Sequence, residues 1–306
     1  MKHIYEFKTK KITWINVTKA QQPQVGYVAK KYGLLEEDSI DVLPPIQRSK
    51  LVIRPDYLFM ILLFPVYNRE NKKISTEEID FFISRNRLVT FHNNKIPAIK
   101  NLFENCNKNS SRLPCSGEVA DILYALLDNL TNYCFPMMRH LLLDVEMIEE
   151  KIFKKYEQKR TVDAILRIKT NIFDFQRILQ SHEYVLNKLM LGASKLFPAK
   201  KSENNFLQLV EYARETNLSL QSLKDNINAL HEANSTLVDY RVNEILKILT
   251  IFSVIVFPLT LIAALFGMNT KFIPIVGSDF DFWKVVGIMA AGAITMLGIF
   301  KWKKWI

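Results

Sequence analysis

Gly267, Met268 and Asn269 end an apolar run, "PLTLIAALFGMNTKF" from Pro258 to Phe272, with Lys271 just beyond the asparagine. Glycine lets a helix stop and frees backbone carbonyls, while asparagine offers a neutral carboxamide that accepts from bound water without gripping an ion as a carboxylate does. Such a set suits a cation read through its water shell, and magnesium, which loses its waters reluctantly, fits that outer-sphere chemistry. Gly followed by Asn is equally an ordinary helix C-cap, so the surrounding pattern must decide.

On a helical wheel with Thr250 as origin, Asn243, Leu246, Thr250, Ser253, Phe257, Thr260 and Ala264 share an arc of about 80° to 100°. Every hydroxyl of the apolar helix preceding Gly267 lies on that face. Followed back along the chain, the same face collects Asp239, Thr236, Glu232, Asn228 and Asp225. Polar side chains in a membrane helix turn toward a bundle or a water-filled path, and rings of acidic residues select cations. Leu246, Leu249 and Phe257, on or beside the stripe, then become hydrophobic constrictions that gate by dewetting. Two ordinary explanations compete: hydroxyls in such helices bond back to their own backbone, and an acidic stripe on a stalk is usually just solvated.

The elements that must position this face are legible in the pattern. Ile248 to Thr270 is a run of 23 uncharged residues and Val285 to Phe300 one of 16, the second extended by Phe282, Trp283 and a snorkelling Lys284. Each approaches the ~20 residues that cross a hydrocarbon core. Trp283 and Trp302 bracket the second run, and "KWKKWI" places Lys301, Lys303 and Lys304 beside it. The lysines put that end, and with it the N-terminal part, in the cytoplasm, the membrane being the inner or plasma membrane. From Asn205 to Phe257 there is neither Gly nor Pro, which predicts a continuous helical rod of roughly 80 Å. Leu220, Leu223, Ile227, Leu230, Leu237 and Ile248 form a heptad-compatible seam that a partner subunit or an intrachain neighbour would explain.

Upstream, "ITWINV", "YLFMILLFPV", "IDFFIS" and "RLVTFH" read as strands, and "QPQVGYVAKKYGL" and "EEDSIDVL" as helices. Glu118 to Tyr156, kinked at Pro136, and Thr161 to Leu191 read as long helices. The expected organisation is an α/β domain over 1–95, a helical region over 96–202, a stalk helix over 203–247, a first span over 248–269, an outer loop over 270–282, a second span over 283–300 and a basic tail over 301–306.

Other classes find little support. "MKHIYEFKTKK" has no apolar core of the kind a secretory signal needs. The net charge of +10 is dispersed and unordered by any motif, which favours anionic lipid over nucleic acid as a partner. Cys106, Cys115 and Cys134 lack metal-ligand spacing and are expected as reduced thiols, and the five histidines make no zinc set. There is no P-loop and no nucleophile elbow, so no enzyme and no resident cofactor is expected.

The stretch "YRVNEILKILTIFSVIVFPLTLIAALFGMNTKFIP", followed by a second span and a lysine-tryptophan tail, resembles the CorA family of divalent-cation transporters, whose signature is Gly-Met-Asn closing the first of two spans. "WINV" and "LLEEDSIDVL" are similar to that family's cytoplasmic domain, so the likeness covers essentially the whole chain. It implies an α+β cytoplasmic domain, long stalk helices and two transmembrane helices, assembled as a funnel-shaped homopentamer with first spans lining the pore. It further implies that Gly267, Met268 and Asn269 select hydrated Mg2+, with Asn269 as the outer ring. Asn243, Leu246, Leu249, Thr250, Ser253, Phe257, Thr260 and Ala264 would line the pore, and Asp225, Glu232 and Asp239 would face the funnel. Gating by cytoplasmic divalent ions would follow.

The chain departs from the family pattern beyond the motif. Thr270 stands where many members have an aromatic, and Ile273-Pro274-Ile275 where they have Met-Pro-Glu. Asp279 and Asp281 either restore the missing negative charge or cap the second helix. A ZntB-like transporter of zinc, or one of cobalt or nickel, is the alternative in the same class. A two-span coiled-coil receptor or scaffold without transport is the alternative outside it. Absence of His and Cys from the stripe favours a hard, oxygen-loving ion.

Overall fold

The computed structural model describes residues 2–305 apart from 112, 153–157, 194–195, 197–198, 270–274, 276, 278 and 279. By packing it divides into Met1–His231 and Glu232–Ile306. The first unit opens with β1 (Ile4–Lys8), β2 (Thr13–Val17), α1 (Gln22–Tyr32), α2 (Glu36–Asp41), β3 (Lys50–Ile53), β4 (Leu58–Asn68), β5 (Lys73–Ile83), β6 (Arg87–Phe91) and α3 (Pro97–Lys108). The strands form one sheet in the order β1-β2-β6-β5-β4-β3, parallel only where β2 meets β6. The four strands and two helices read from the sequence are all present. β1 and β3 were not read, because "IYEFK" carries two charges in five residues and "KLVI" is only four residues long.

Both faces of the sheet are buried. Alternate residues Ile15, Val17, Phe59, Ile61, Phe82, Val89 and Phe91 pack under Val25 and Val28 of α1 and Val42 after α2. α1 stops at Gly33, whose φ of 71° is left-handed and whose N–H closes the helix on the Ala29 carbonyl. On the opposite face Trp14 meets Phe103 of α3 edge-on at 5.0 Å. Polar atoms enclosed there are paired across strands: Trp14 Nε1 donates to Thr90 Oγ1 (3.1 Å), and Thr90 Oγ1 to Asn16 Oδ1 (3.0 Å). His92 Nδ1 accepts from the Asn94 amide, which leaves Nε2–H to donate to Asn16. Burial lowers the His92 pKa to about 4, so the ring is neutral at pH 7.

α4 (Val119–Ile152) remains one helix through Pro136. The single helix expected from Thr161 to Leu191 is instead two, α5 (Gln158–Leu179) and α6 (His182–Ala193). Just after the break, His182 Nε2 donates to the Leu63 carbonyl of β4 at 2.7 Å and its ring stands edge-on to Phe64 at 5.0 Å.

The expectation of three thiols also fails: Cys106 and Cys115 are joined in a disulfide, and Cys134 alone is free and buried. The two Cα atoms lie 5.3 Å apart, a proximity that spacing along the chain does not reveal.

α7 (Ala199–Phe266) is 68 residues long and runs on through Pro258. In the first unit its Leu220, Leu223 and Ile227 are buried, so an intrachain partner covers that part of the heptad seam; Ile248, in the second unit, is 68% exposed. The second unit holds the rest of α7 together with α8 (Asp281–Trp302). Among the described residues α7 and α8 are the two helices long and apolar enough to cross a membrane, and none of either apolar stretch is buried, unlike the core helices of a soluble protein.

One electrostatic feature of the α1/α2 face stands out. Asp80 of β5 is 2% exposed, its Oδ1 lacks a partner, and it hydrogen-bonds Glu78, which also accepts from the Gln47 amide. Burial pushes the Glu78 carboxyl up to about 7 and Asp80 well above the usual carboxylate range. A raised carboxyl pKa stabilises the fold fully below the unfolded value of 4.5 and loses that contribution as pH rises through about 7. The thermal midpoint of the purified chain should therefore fall across that window. Glu78→Gln should flatten the fall; an unchanged profile in the variant would refute the assignment.

Candidate ion-conduction site

The polar face of α7 is carried by a helix without Gly or Pro until Pro258, so its register is unbroken from the acidic residues to the apolar stretch. Within the second unit Glu232, Asp239, Asn243, Leu246, Leu249, Thr250, Ser253, Phe257, Thr260 and Ala264 are all exposed, Phe257 at 78%. Asp225 belongs to the first unit, where its carboxylate accepts from Gln221 Nε2 at 3.0 and 3.2 Å. Among the described residues no group of three or more His, Cys, Asp or Glu is arranged to hold a metal ion.

Each hydroxyl on the face donates its proton one turn back. Thr250 Oγ1 donates to the Leu246 carbonyl (2.8 Å), Ser253 Oγ to Leu249 (2.9 Å) and Thr260 Oγ1 to Val256 (2.9 Å). This is the back-bonding that an ordinary membrane helix makes. It also has a chemical consequence: with the proton committed inward, each oxygen presents only lone pairs outward. Water bound to a cation presents only hydrogens outward, so the face is matched to a hydrated cation. Pro258 adds to it, because it has no N–H to give the Val254 carbonyl one turn earlier.

At the end of α7 the glycine does less than the sequence suggested. Gly267 N–H still bonds the Ala263 carbonyl at 2.9 Å and Met268 N–H reaches Leu265 at 3.4 Å, so the Ala263 carbonyl is not freed. Gly267 has no left-handed φ, which excludes the glycine cap considered for it. A Cβ there would lie 3.1 Å from the Ala263 oxygen, so glycine keeps the terminus close-wound. Met268 and Asn269 follow as exposed, non-helical residues, which leaves the Asn269 carboxamide beyond the last turn.

Thr270, Lys271, Ile273, Pro274 and Asp279 lie outside the described residues. Asp281 begins α8, where Oδ1 accepts from the Phe282 amide (2.7 Å) and Oδ2 from Gly277 (3.3 Å). Phe280 before it takes a left-handed φ of 66°. The sequence reading missed the inward commitment of the hydroxyl protons and the acceptor that Pro258 leaves. Ser and Thr inside an apolar helix, and a Pro within it, were the available signals.

Fold and face together define a two-span membrane protein whose long helix carries a hydrophilic stripe. The chain matches the family described as CorA-like Mg2+ transporter protein over residues 9–304, and it belongs to that family. It is 24% identical to the cobalt/magnesium transport protein CorA of Thermotoga maritima over 96% of this chain and 83% of that one. With the cobalt/magnesium transport protein CorA of Methanocaldococcus jannaschii it shares 22% identity over 98% and 93%. The complete structure of the M. jannaschii CorA magnesium transporter superposes with a TM-score of 0.84, covering 99% of this chain and 94% of that one at 22% identity. The ZntB cytoplasmic domain from Vibrio parahaemolyticus covers 78% of this chain with a TM-score of 0.62 at 12% identity, a likeness of fold alone.

Removing an acceptor without removing bulk separates a pathway from an ordinary back-bonded helix. Thr260→Val and Ser253→Ala should each lower cation flux about tenfold, the equivalent of ~1.4 kcal/mol or one net hydrogen bond. Unchanged flux in both would assign the hydroxyls to helix packing.

Proposed function

We propose that this chain conducts Mg2+ inward across the inner or plasma membrane, as a hydrated ion, along the acceptor-only face of α7. The carrying observation is that face: hydroxyl oxygens with inward-bonded protons, ended by the exposed carboxamide of Asn269. Asn269 is the outer ring, with Gly267 and Met268 setting its position, and it holds the ion through water. Thr260, Ser253, Thr250, Ala264 and Asn243 line the route, and Leu246, Leu249 and Phe257 form its dewetting constrictions.

One helix supplies one wall, so the pathway requires several copies of the chain, and family membership favours a homopentamer. Residues 248–269 and 283–300 are the crossings and 270–282 the outer loop. The N-terminal unit and the tail with Lys301, Lys303 and Lys304 are cytoplasmic, the lysines resting on anionic lipid. Asp225, Glu232 and Asp239 raise the local cation concentration at the inner end. Divalent ions accumulating in the cytoplasm close the route. The protein performs no catalysis and carries no resident cofactor; Mg2+ is its cargo. A carboxamide and hydroxyls, with no His or Cys on the face, favour a hard ion over zinc.

Purified chain in liposomes with an entrapped indicator should take up Mg2+, Asn269→Ala should abolish the uptake, and raised internal Mg2+ should suppress it. Zinc uptake without magnesium uptake would select the zinc transporter. Silence for every divalent ion in well-folded protein would sink transport and leave the scaffold.

A further inference from the structure

Cys106 and Cys115 are both buried, at 0% and 4% exposure, and are bonded to each other. Cys106 lies near the end of α3, one turn beyond Phe103, the residue that seats α3 against Trp14 of the sheet. Cys115 lies in the connection that leads into α4 at Val119. The bond therefore ties the helix seated on the sheet to the start of the long helices.

The core cluster on one face of the sheet and the cross-strand polar pairs do not include the bridged residues, which are only nine apart in sequence. The third cysteine cannot exchange with the pair: Cys134 sits inside α4 with its S–H donated to the Leu130 carbonyl at 3.4 Å. Burial also pushes its thiol up to about 12, far from the thiolate that exchange requires. Two partners in bonding distance and one isolated thiol make a closed two-cysteine system.

We propose that Cys106 and Cys115 form a reversible oxidation site, a dithiol in a reducing cytoplasm and a disulfide on exposure to a small-molecule disulfide. The inference rests on the cytoplasmic placement of the N-terminal unit proposed above, since a reducing compartment keeps such a pair open. Cys115, in a connection rather than inside a helix, reacts first. Its thiolate attacks one sulfur of the small disulfide, forming a mixed disulfide and expelling one thiolate. Cys106 then attacks the Cys115 sulfur, forming the bond seen here and expelling the second thiolate. The pair loses two electrons and two protons, and the small disulfide is reduced to two thiols. The consequence is a junction between α3 and α4 that is tethered when oxidised and released when reduced.

The test counts thiols in the full-length chain. Cells producing it are quenched in acid, the protein is denatured and alkylated, and its mass is measured. Untreated cells should give three alkyl groups, cells exposed to a small disulfide one, and those cells after a dithiol reductant three again. Cys115→Ser should give two throughout. A single group in untreated cells, or three after the oxidant, would overturn the proposal. Protease added outside intact cells separates the sources of failure: digestion of the N-terminal unit would remove the cytoplasmic placement and this inference with it. Protection together with a single alkyl group would remove this inference alone. A chain that passes the thiol test but carries no Mg2+ would leave the oxidation site standing and the transport reading overturned.

Discussion

The structure turns on what a helix can offer to water inside a membrane. A backbone satisfied by its own i to i−4 bonds has nothing left for an ion, so everything hydrophilic must come from side chains or from a missing amide. α7 supplies both. Its hydroxyls spend their protons on carbonyls one turn back, and Pro258 withholds an N–H. The back-bond that looks like mere helix packing is what makes the face chemically one-sided, acceptors without donors. A magnesium ion surrounded by its own water is the complementary object, donors without acceptors.

Such a face needs a helix in one register over many turns, which α7 supplies as a single element, and its start is packed within the first unit. Leu220, Leu223 and Ile227 bury one side of α7 within its own chain, while Glu232, Asp239 and the polar face that follows them are exposed. The long helices are fixed to the sheet by specific contacts rather than apolar packing alone. His182, the first residue of α6, bonds the β4 backbone, and Asn171 Oδ1 accepts from the Ile74 amide of β5. Arg54 and Tyr57 converge on the buried Asp38 and fix α2 against the same sheet. Each is a polar group whose burial is tolerated only with its partner present, which makes the arrangement specific.

What was legible in the sequence is what local pattern encodes. Both apolar helices, four strands and the stripe on α7 follow from period and composition, and Gly-Met-Asn from its place after the first run. What was not legible depends on contacts between distant residues. The division of α5 from α6 coincides with a bond from His182 to a carbonyl 119 positions upstream, in a segment whose own propensity is helical throughout. Cys106 and Cys115 meet because a turn-rich connection folds back, which spacing does not show. Gly267 was read as a flexible cap, yet its amide keeps a helical bond and its value is the Cβ it lacks. The stripe could be read because a helix carries it alone; the pathway could not, because several helices must make it.

Charge is distributed along that stripe with a direction. Asn269 is neutral, the apolar stretch carries only hydroxyls and hydrocarbon, and Asp239 and Glu232 come last. A fully charged mouth would hold a divalent ion against release, since attraction at short range in a low dielectric exceeds what water can replace. A neutral mouth binds the hydrated ion loosely and lets the next site compete for it. In the proposed orientation, Asp239 and Glu232 at the far end of the stripe would attract a cation entering at Asn269, while the Asp281 carboxylate accepts from the Gly277 and Phe282 amides. In the proposed pathway the same ordering would allow bare Leu246, Leu249 and Phe257 between the two ends. An ion drawn from a weak site toward a stronger one can cross a short dewetted stretch that it would not enter from a tight one.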